Sequence, residues 1–394
     1  MAVPFEEARS IVLVKVRDSL GTMCVETVRI DQVAGRVLAE DTFADRDYPP
    51  FPRSARDGFA VRSGEVPGTL RIAGEVRAGS RYKAAVGPGE TVEIMTGAPM
   101  PEGADAVVMV ENTRREGDSV VIERGVRPGE NFNPKGAEVR MGEVVVQRGT
   151  RLDYAHVAML AGVGCVDVPV VVKPRVAIVA TGDEIVAVGE TPAEYQIRNS
   201  NSESLAAQVS RAGGLAIVLP VAPDRYDETR ALVEKGLEAD LLLLSGGVSA
   251  GKYDIVEKVL ADLGAEFFFD RVRIQPGQPL VFGRCKKKFF FGLPGNPSST
   301  MVTFEAVARL ALDLLCGVRE PSFPLTYARL TAPFRQKAGL TRFLPATLAG
   351  SYVTPESWHG SGDVAALARV NAFLVSDPDQ ESWMEGDLIR VMPR

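Results

Sequence analysis

DLLLLSGGVSAGKYDIVEKVLADLG, residues 240–264, runs from an unbroken apolar stretch through a glycine pair into an amphipathic segment. Leu241–Leu244 show no alternation of apolar and polar residues, so a strand made from them must be covered on both faces. YDIVEKVLADLG then reads as a helix. A buried strand that turns through glycines into a helix is the unit of a parallel α/β sheet. In such sheets ligands bind beyond the carboxyl ends of the strands. Gly246, Gly251 and Lys252 also carry the spacing of a phosphate loop, G-x-x-x-x-G-K-[ST]. Tyr253 stands where the Mg²⁺-binding hydroxyl belongs, with Asp254 after it.

The same unit recurs on either side. VAIVAT (176–181) is a buried strand. SESLAAQVSRAG (202–213) reads as a helix opened by Ser/Glu capping chemistry, followed by the strand LAIVLPVA and the helix ETRALVEKGLEA. AEFFFDRVRI, PLVFGR and KKFFFGL supply further strands, and a long helix starts near PSSTMVTFEAVARLALDLLCG. Together they predict a mostly parallel sheet with helices on both faces. Upstream, residues 4–20 read as an opening helix. From 48 the chain changes to short strands separated by turns such as VGPGE, PMPEGAD and RPGEN, the texture of a compact β domain. Residues 141–174 offer a strand, a helix near 153–162 and a strand. They complete the region that the first residues begin, which makes the β domain an insertion. The last segment, 321–394, is extended and turn-rich.

At 394 residues the chain exceeds one ordinary core, and its 45% hydrophobic and 24% charged residues are those of a globular protein. A net charge of −6 argues against a broad nucleic-acid surface, so a bound anion must be held locally. No signal peptide and no membrane-length apolar run is visible. Two His and four Cys without a C-x-x-C pair argue against zinc and fit a reducing cytoplasm. Catalysis must then rest on carboxylates, Ser/Thr, Lys/Arg or a metal with oxygen ligands.

Three loops of the α/β region fall where such ligands bind. TGDEIV (181–186) carries Asp183 and Glu184, SGGVSAGKYD (245–254) follows the leucine strand, and LPGNPSST (293–300) opens a helix with Asn296, Ser298 and Ser299 as cap candidates. Singly, each has a plainer reading as a tight turn or a solvated cap. Asp224, after another strand, reads equally as a helix N-cap, and Lys252 as a solvated lysine. Gathered at one sheet edge, the loops would combine N–H donors with carboxylates. Carboxylates beside a phosphate require a cation, and oxygen ligands favour Mg²⁺. The expectation is a phosphorylated, nucleotide-linked ligand bound with Mg²⁺.

TGDE, I-x-N-S-N (Ile197, Asn199, Ser200, Asn201), SGGVSAGKYD, PGQP and GLPGNP occur here in the order found in the MoeA family, the molybdopterin molybdenumtransferases. FPRSARDGFAVR (51–62), IMTGAPMPEGADAVVMVE (94–111), GLTRFLPATL and GSGDVAALARVNAFLV also resemble motifs of that family, which includes the E domain of gephyrin. The α/β region alone is shared with MogA-type adenylyltransferases and CinA-type proteins.

The resemblance implies four regions: an elongated N-terminal, dimerisation domain from 1–47 with 141–173, an inserted β domain over 48–140, a MogA-like α/β molybdopterin-binding domain over 174–320, and a C-terminal β domain over 321–394. It implies a cytoplasmic homodimer with an inter-subunit active site, working with other molybdenum cofactor biosynthesis proteins. Its reaction inserts molybdate into adenylylated molybdopterin with Mg²⁺-assisted release of AMP. Alternatives on related frameworks are the adenylyltransferase step or a non-catalytic scaffold. Carried over by position, Asp57, Thr96, Glu184, Asp224 and Asp254 would be catalytic, the last three beside the metal. Ser245, Gly246, Gly247, Ser249 and Lys252, with Pro294, Gly295, Asn296, Pro297, Ser298 and Arg342, would bind substrate. The sequence departs from the family at Gln275 and Gln278, where many members carry Lys. The anion attraction of those lysines is lost, and Arg271, Arg273 or Lys252 are the candidates to replace it.

Overall fold

Residues 2–247 and 255–394 are described by a computed structural model of the chain. Its centre is a six-stranded sheet of β1 (Arg175–Ala180), β2 (Leu215–Val218), β3 (Leu241–Ser245), β4 (Glu266–Phe269), β5 (Val281–Cys285) and β6 (Lys288–Leu293). The order across the sheet is β2-β1-β3-β6-β5-β4. Neighbours from β2 to β6 are parallel, and β6-β5-β4 run antiparallel at the edge. The "mostly parallel" expectation therefore holds for four strands. The phenylalanine-rich strands turn back on themselves because the short Cys285–Lys288 connection leaves no room for a crossover.

Leu241–Leu244 are completely buried, two on each face. Leu241 and Leu243 pack with side chains of α1 (Phe5–Ser19), α3 (Ser200–Arg211) and α7 (Arg309–Leu315). Leu242 and Leu244 pack with α4 (Tyr226–Gly236) and α5 (Ile255–Asp262) on the other face. The period of two along the strand thus divides one leucine run between two cores. Each fully buried leucine contributes about 1.5–3 kcal/mol before entropy is counted. Phe282 anchors the antiparallel edge, 4.6 Å from Phe291 and 5.2 Å from Phe268 between ring centroids.

Three helix starts refine the sequence reading. α3 begins at Ser200, two residues early, because the Asn199 carbonyl oxygen of the side chain accepts from the Ser202 N–H at 3.1 Å. Asp224 does not cap α4: Arg225 holds the N-cap position without a side-chain bond. At α6 (Pro297–Thr303) Asn296 holds the N-cap position as expected but makes no side-chain bond there; Pro297 at the start needs no N–H partner. That helix continues through a π turn, Phe304–Ala308, into α7.

Around this sheet, Val25–Arg29 pairs antiparallel with Asp167–Val171, and Thr42–Phe43 with Val144–Val146, so the opening segment and residues 144–171 share one structure. α2 (Tyr154–Gly162) belongs there and carries a capping box through Asp153 and His156. Between these halves, strands within 58–122 form a separate six-stranded mixed sheet. The C-terminal sheet joins the α/β region where Ile274–Gln275 pairs in parallel with Thr341–Arg342. No helix of the described residues is long and apolar enough to cross a membrane.

Phe282→Ala should lower stability by about 3–5 kcal/mol, read as a fall in the urea midpoint, since the ring lies buried among four others.

Candidate functional site

Register brings the site together. Ala180 pairs with Ser245, and Ser245 with Leu293, so β1, β3 and β6 end in one row. The loops leaving that row enclose a cavity of about 410 Å³, with Thr181 and Glu184, Ser245–Gly247, and Pro294–Pro297 in its walls. The convergence expected from three separate motifs is thus present. Hydrogen bonds cross between the loops: the Thr181 N–H donates to the Ser245 carbonyl at 3.0 Å, and the Gly246 N–H to the Leu293 carbonyl at 3.1 Å. The Asn201 side-chain NH₂ donates to Ser245 Oγ at 2.9 Å and to the Gly295 carbonyl at 2.7 Å. A carbonyl accepts only, so the Gly295 contact fixes which end of the Asn201 amide faces it.

The glycine pair is required by both backbone and space. Gly246 and Gly247 have φ of 90° and 61°. A Cβ on Gly247 would lie 2.8 Å from Thr181 Oγ1 and 2.9 Å from Val256 Cγ2. Against expectation, two of the anticipated phosphate donors are already engaged. The Gly246 N–H is held by Leu293, and the Ser298 N–H donates to the Ser361 carbonyl at 3.0 Å. Ser298 itself is fully buried and outside the cavity wall.

A helix terminus that the sequence reading placed two residues later also borders the cavity. The start of α3 (Ser200 and Asn201) lies in the wall, and first-turn amides have no acceptor within their own helix. The Asn199 cap was the signal for it. Arg198 is the only cationic side chain of the wall among the described residues. Thr181 Oγ1 and Asn201 Oδ1 are buried with no hydrogen-bond partner among the described residues.

The remaining candidates, Glu184 excepted, lie apart from this wall among the described residues. Glu184 is exposed at its rim, while Asp224 is outside it, its N–H donating to Asp183 Oδ1 at 3.1 Å. Arg342 donates from Nε to Gln275 Oε1 at 2.8 Å and from Nη1 to the Lys337 carbonyl. Ser249, Lys252 and Asp254 lie outside the described residues. Asp57 and Thr96 sit in the inserted region and meet each other: Asp57 Oδ1 accepts from the Thr96 N–H at 2.6 Å and from its hydroxyl at 2.8 Å. These two donors, the backbone one first, hold the Asp57 carboxyl below its ordinary 3.8. Nothing in the spacing of the two motifs announces that contact.

The site is that of an α/β ligand-binding protein whose cavity carries a helix N-terminus, a glycine turn and one arginine. Comparison with known proteins gives the class its content. Residues 3–164 match the MoeA N-terminal region (domain I and II), 177–313 a probable molybdopterin binding domain, and 327–393 the MoeA C-terminal region (domain IV). The chain is 32% identical to a molybdopterin molybdenumtransferase of Staphylococcus aureus, over 99% of this chain and 95% of that one. It is 34% identical to that of Bacillus subtilis, over 93% and 89%. The crystal structure of a molybdopterin biosynthesis MoeA protein from Pyrococcus horikoshii OT3 covers all of both chains, with a TM-score of 0.82 and 31% identity. The chain belongs to the MoeA family. It is a transferase of molybdenum cofactor biosynthesis.

Gly247→Ala should reduce molybdopterin binding at least tenfold by isothermal titration. Gly35→Ala, also at positive φ but with nothing within 4 Å of the new Cβ, should leave binding intact; each costs about 1–2 kcal/mol of stability from backbone strain. For Asp57, an NMR titration should place the carboxyl midpoint below 3.8. Thr96→Ala should move it only part of the way back, because the backbone donor stays. Since the folded value is depressed, the stabilisation from this contact is present above the ordinary value and is lost as pH falls through the folded one.

Proposed function

We propose that the protein inserts molybdate into adenylylated molybdopterin and releases AMP. The observation that carries this reading is the convergence of the three loops on one cavity, in a chain that matches the family from end to end. In this reading the Gly247 amide and the first turn of α3 hold phosphate oxygens, and Arg198 offsets their charge.

Mg²⁺ is a further part of the proposal. Among the described residues no group of three or more His, Cys, Asp or Glu could hold a metal alone. Mg²⁺ needs no such cage: one or two carboxylates with substrate phosphates and water suffice. Glu184 at the cavity rim fits that donor set, while the Asp224 side chain is not in the wall. When bound, the ion would neutralise phosphate charge and polarise the pyrophosphate linkage.

The inter-subunit arrangement is proposed with it. Asp57 and Thr96 are exposed and absent from the cavity wall of their own chain, which suits a role in the cleft of a second copy. The protein then works as a cytoplasmic homodimer, receiving substrate from other molybdenum cofactor enzymes.

Incubation with adenylylated molybdopterin should release AMP only when molybdate and Mg²⁺ are both present. Release without molybdate, or ATP consumption with free molybdopterin, would sink the insertion reading in favour of other chemistry on this framework. Asp57→Ala and Gly247→Ala should each be inactive, and mixing the two should restore about a quarter of the activity if sites are shared between subunits. A scaffold without catalysis would show none of these effects.

A further inference from the structure

The helix that opens on the cavity at Ser200 and Asn201 is tied down toward its other end by a buried carboxylate. Glu305 lies in the π turn between α6 and α7 and is 8% exposed. Its Oε1 accepts from Gln208 Nε2 at 2.9 Å and from Arg211 Nη2 at 2.6 Å, both on α3. Its Oε2 accepts from Arg309 Nη1 at 3.0 Å. Gln208 Nε2 donates a second time, to the Met301 carbonyl of α6 at 3.1 Å. One carboxylate and one amide thus join α3 to α6. The cavity wall holds the start of each, Ser200 and Asn201 on one side and Asn296 and Pro297 on the other.

The π turn adds a residue to the helix and rotates the side chains after it by about 100° relative to α6. It is pinned from α1 as well, where Arg9 Nη1 donates to the Ala306 carbonyl at 2.6 Å. Asp313, further along the same helical run, provides the contrast. It is 5% exposed and pairs with Arg151 at 2.9 Å and Arg309 at 3.6 Å. Neither partner is on α3. The two carboxylates are alike in burial and in having arginine partners, and only Glu305 reaches the helix that lines the cavity.

Gln208 lies about two turns past Asn201 on one straight helix. Movement allowed at Gln208 is therefore passed to Asn201, which bridges Ser245 Oγ and the Gly295 carbonyl. We infer that Glu305 is a positioning residue. By tying α3 to α6 it sets where Asn201 meets the Ser245 and Gly295 loops, and with them the shape of the cavity. This rests on the proposed reading of that cavity as the molybdopterin site.

Calorimetric titration with molybdopterin tests it, with thermal melts read in parallel. Glu305→Leu removes both acceptor oxygens and should weaken binding about tenfold, the scale of a small misplacement at a preorganised site. Glu305→Gln keeps one oxygen that can accept from Gln208 and Arg211, and should retain most of the affinity. Gln208→Leu should reproduce the loss, since the remaining Arg211 pair is half exposed and weak. The double variant Glu305→Leu/Gln208→Leu should lose no more than either single one, because both cut the same link. Asp313→Leu should lower the melting temperature yet leave the affinity unchanged. Wild-type affinity in Glu305→Leu, an equal loss in Asp313→Leu, or additive losses in the double variant each overturn the inference. If Glu305→Leu does not fold, undiminished binding by Gln208→Leu overturns it. Failure of the wild-type protein to bind molybdopterin would instead overturn the proposed substrate, and the inference with it.

Discussion

Burial of β3 on both faces is the constraint on which the rest depends. Leu241 and Leu243 belong to one core and Leu242 and Leu244 to the other, so the strand has no solvent face and must lie inside the sheet. Its neighbours on either side run parallel to it. Parallel strands end on the same side, and the register places Ala180, Ser245 and Leu293 in one row. Every loop of the site therefore starts from a position fixed by packing rather than by contact with a ligand.

The loops are then tied to each other by polar contacts that use up part of their binding capacity. Asn201 bridges Ser245 and Gly295, and the Gly246 amide closes on Leu293. Rigidity of this kind limits what must be ordered when a ligand binds. The Gly246 and Ser298 N–H groups are spent on the framework, while Ser200, Asn201 and Gly247 line the cavity.

Much of this was legible in the residues. The leucine run, the glycine pair and the strand–helix alternation predict the α/β sheet because burial and turn geometry act over a few residues at a time. What escaped depends on longer range. The antiparallel return of the phenylalanine strands follows from a short connection, which apolar runs do not reveal. The start of α3 lies at Ser200 because the Asn199 side chain occupies the cap and accepts from the Ser202 N–H. Asp57 and Thr96 came from separate motifs, and only the folding of the inserted sheet brings their side chains within hydrogen-bond distance.

The sequence by itself determined which segments become strands and helices, where the glycines must stand, and to which family the motifs point. Those properties follow from local spacing, burial pattern and residue chemistry. Only the tertiary structure decided which polar groups remain free. A backbone amide of a glycine turn serves a ligand or the neighbouring strand according to register, and a carboxylate faces the cavity or solvent according to the loop that carries it. Hydrogen bonds are competed for in three dimensions, and one dimension does not show the competitors.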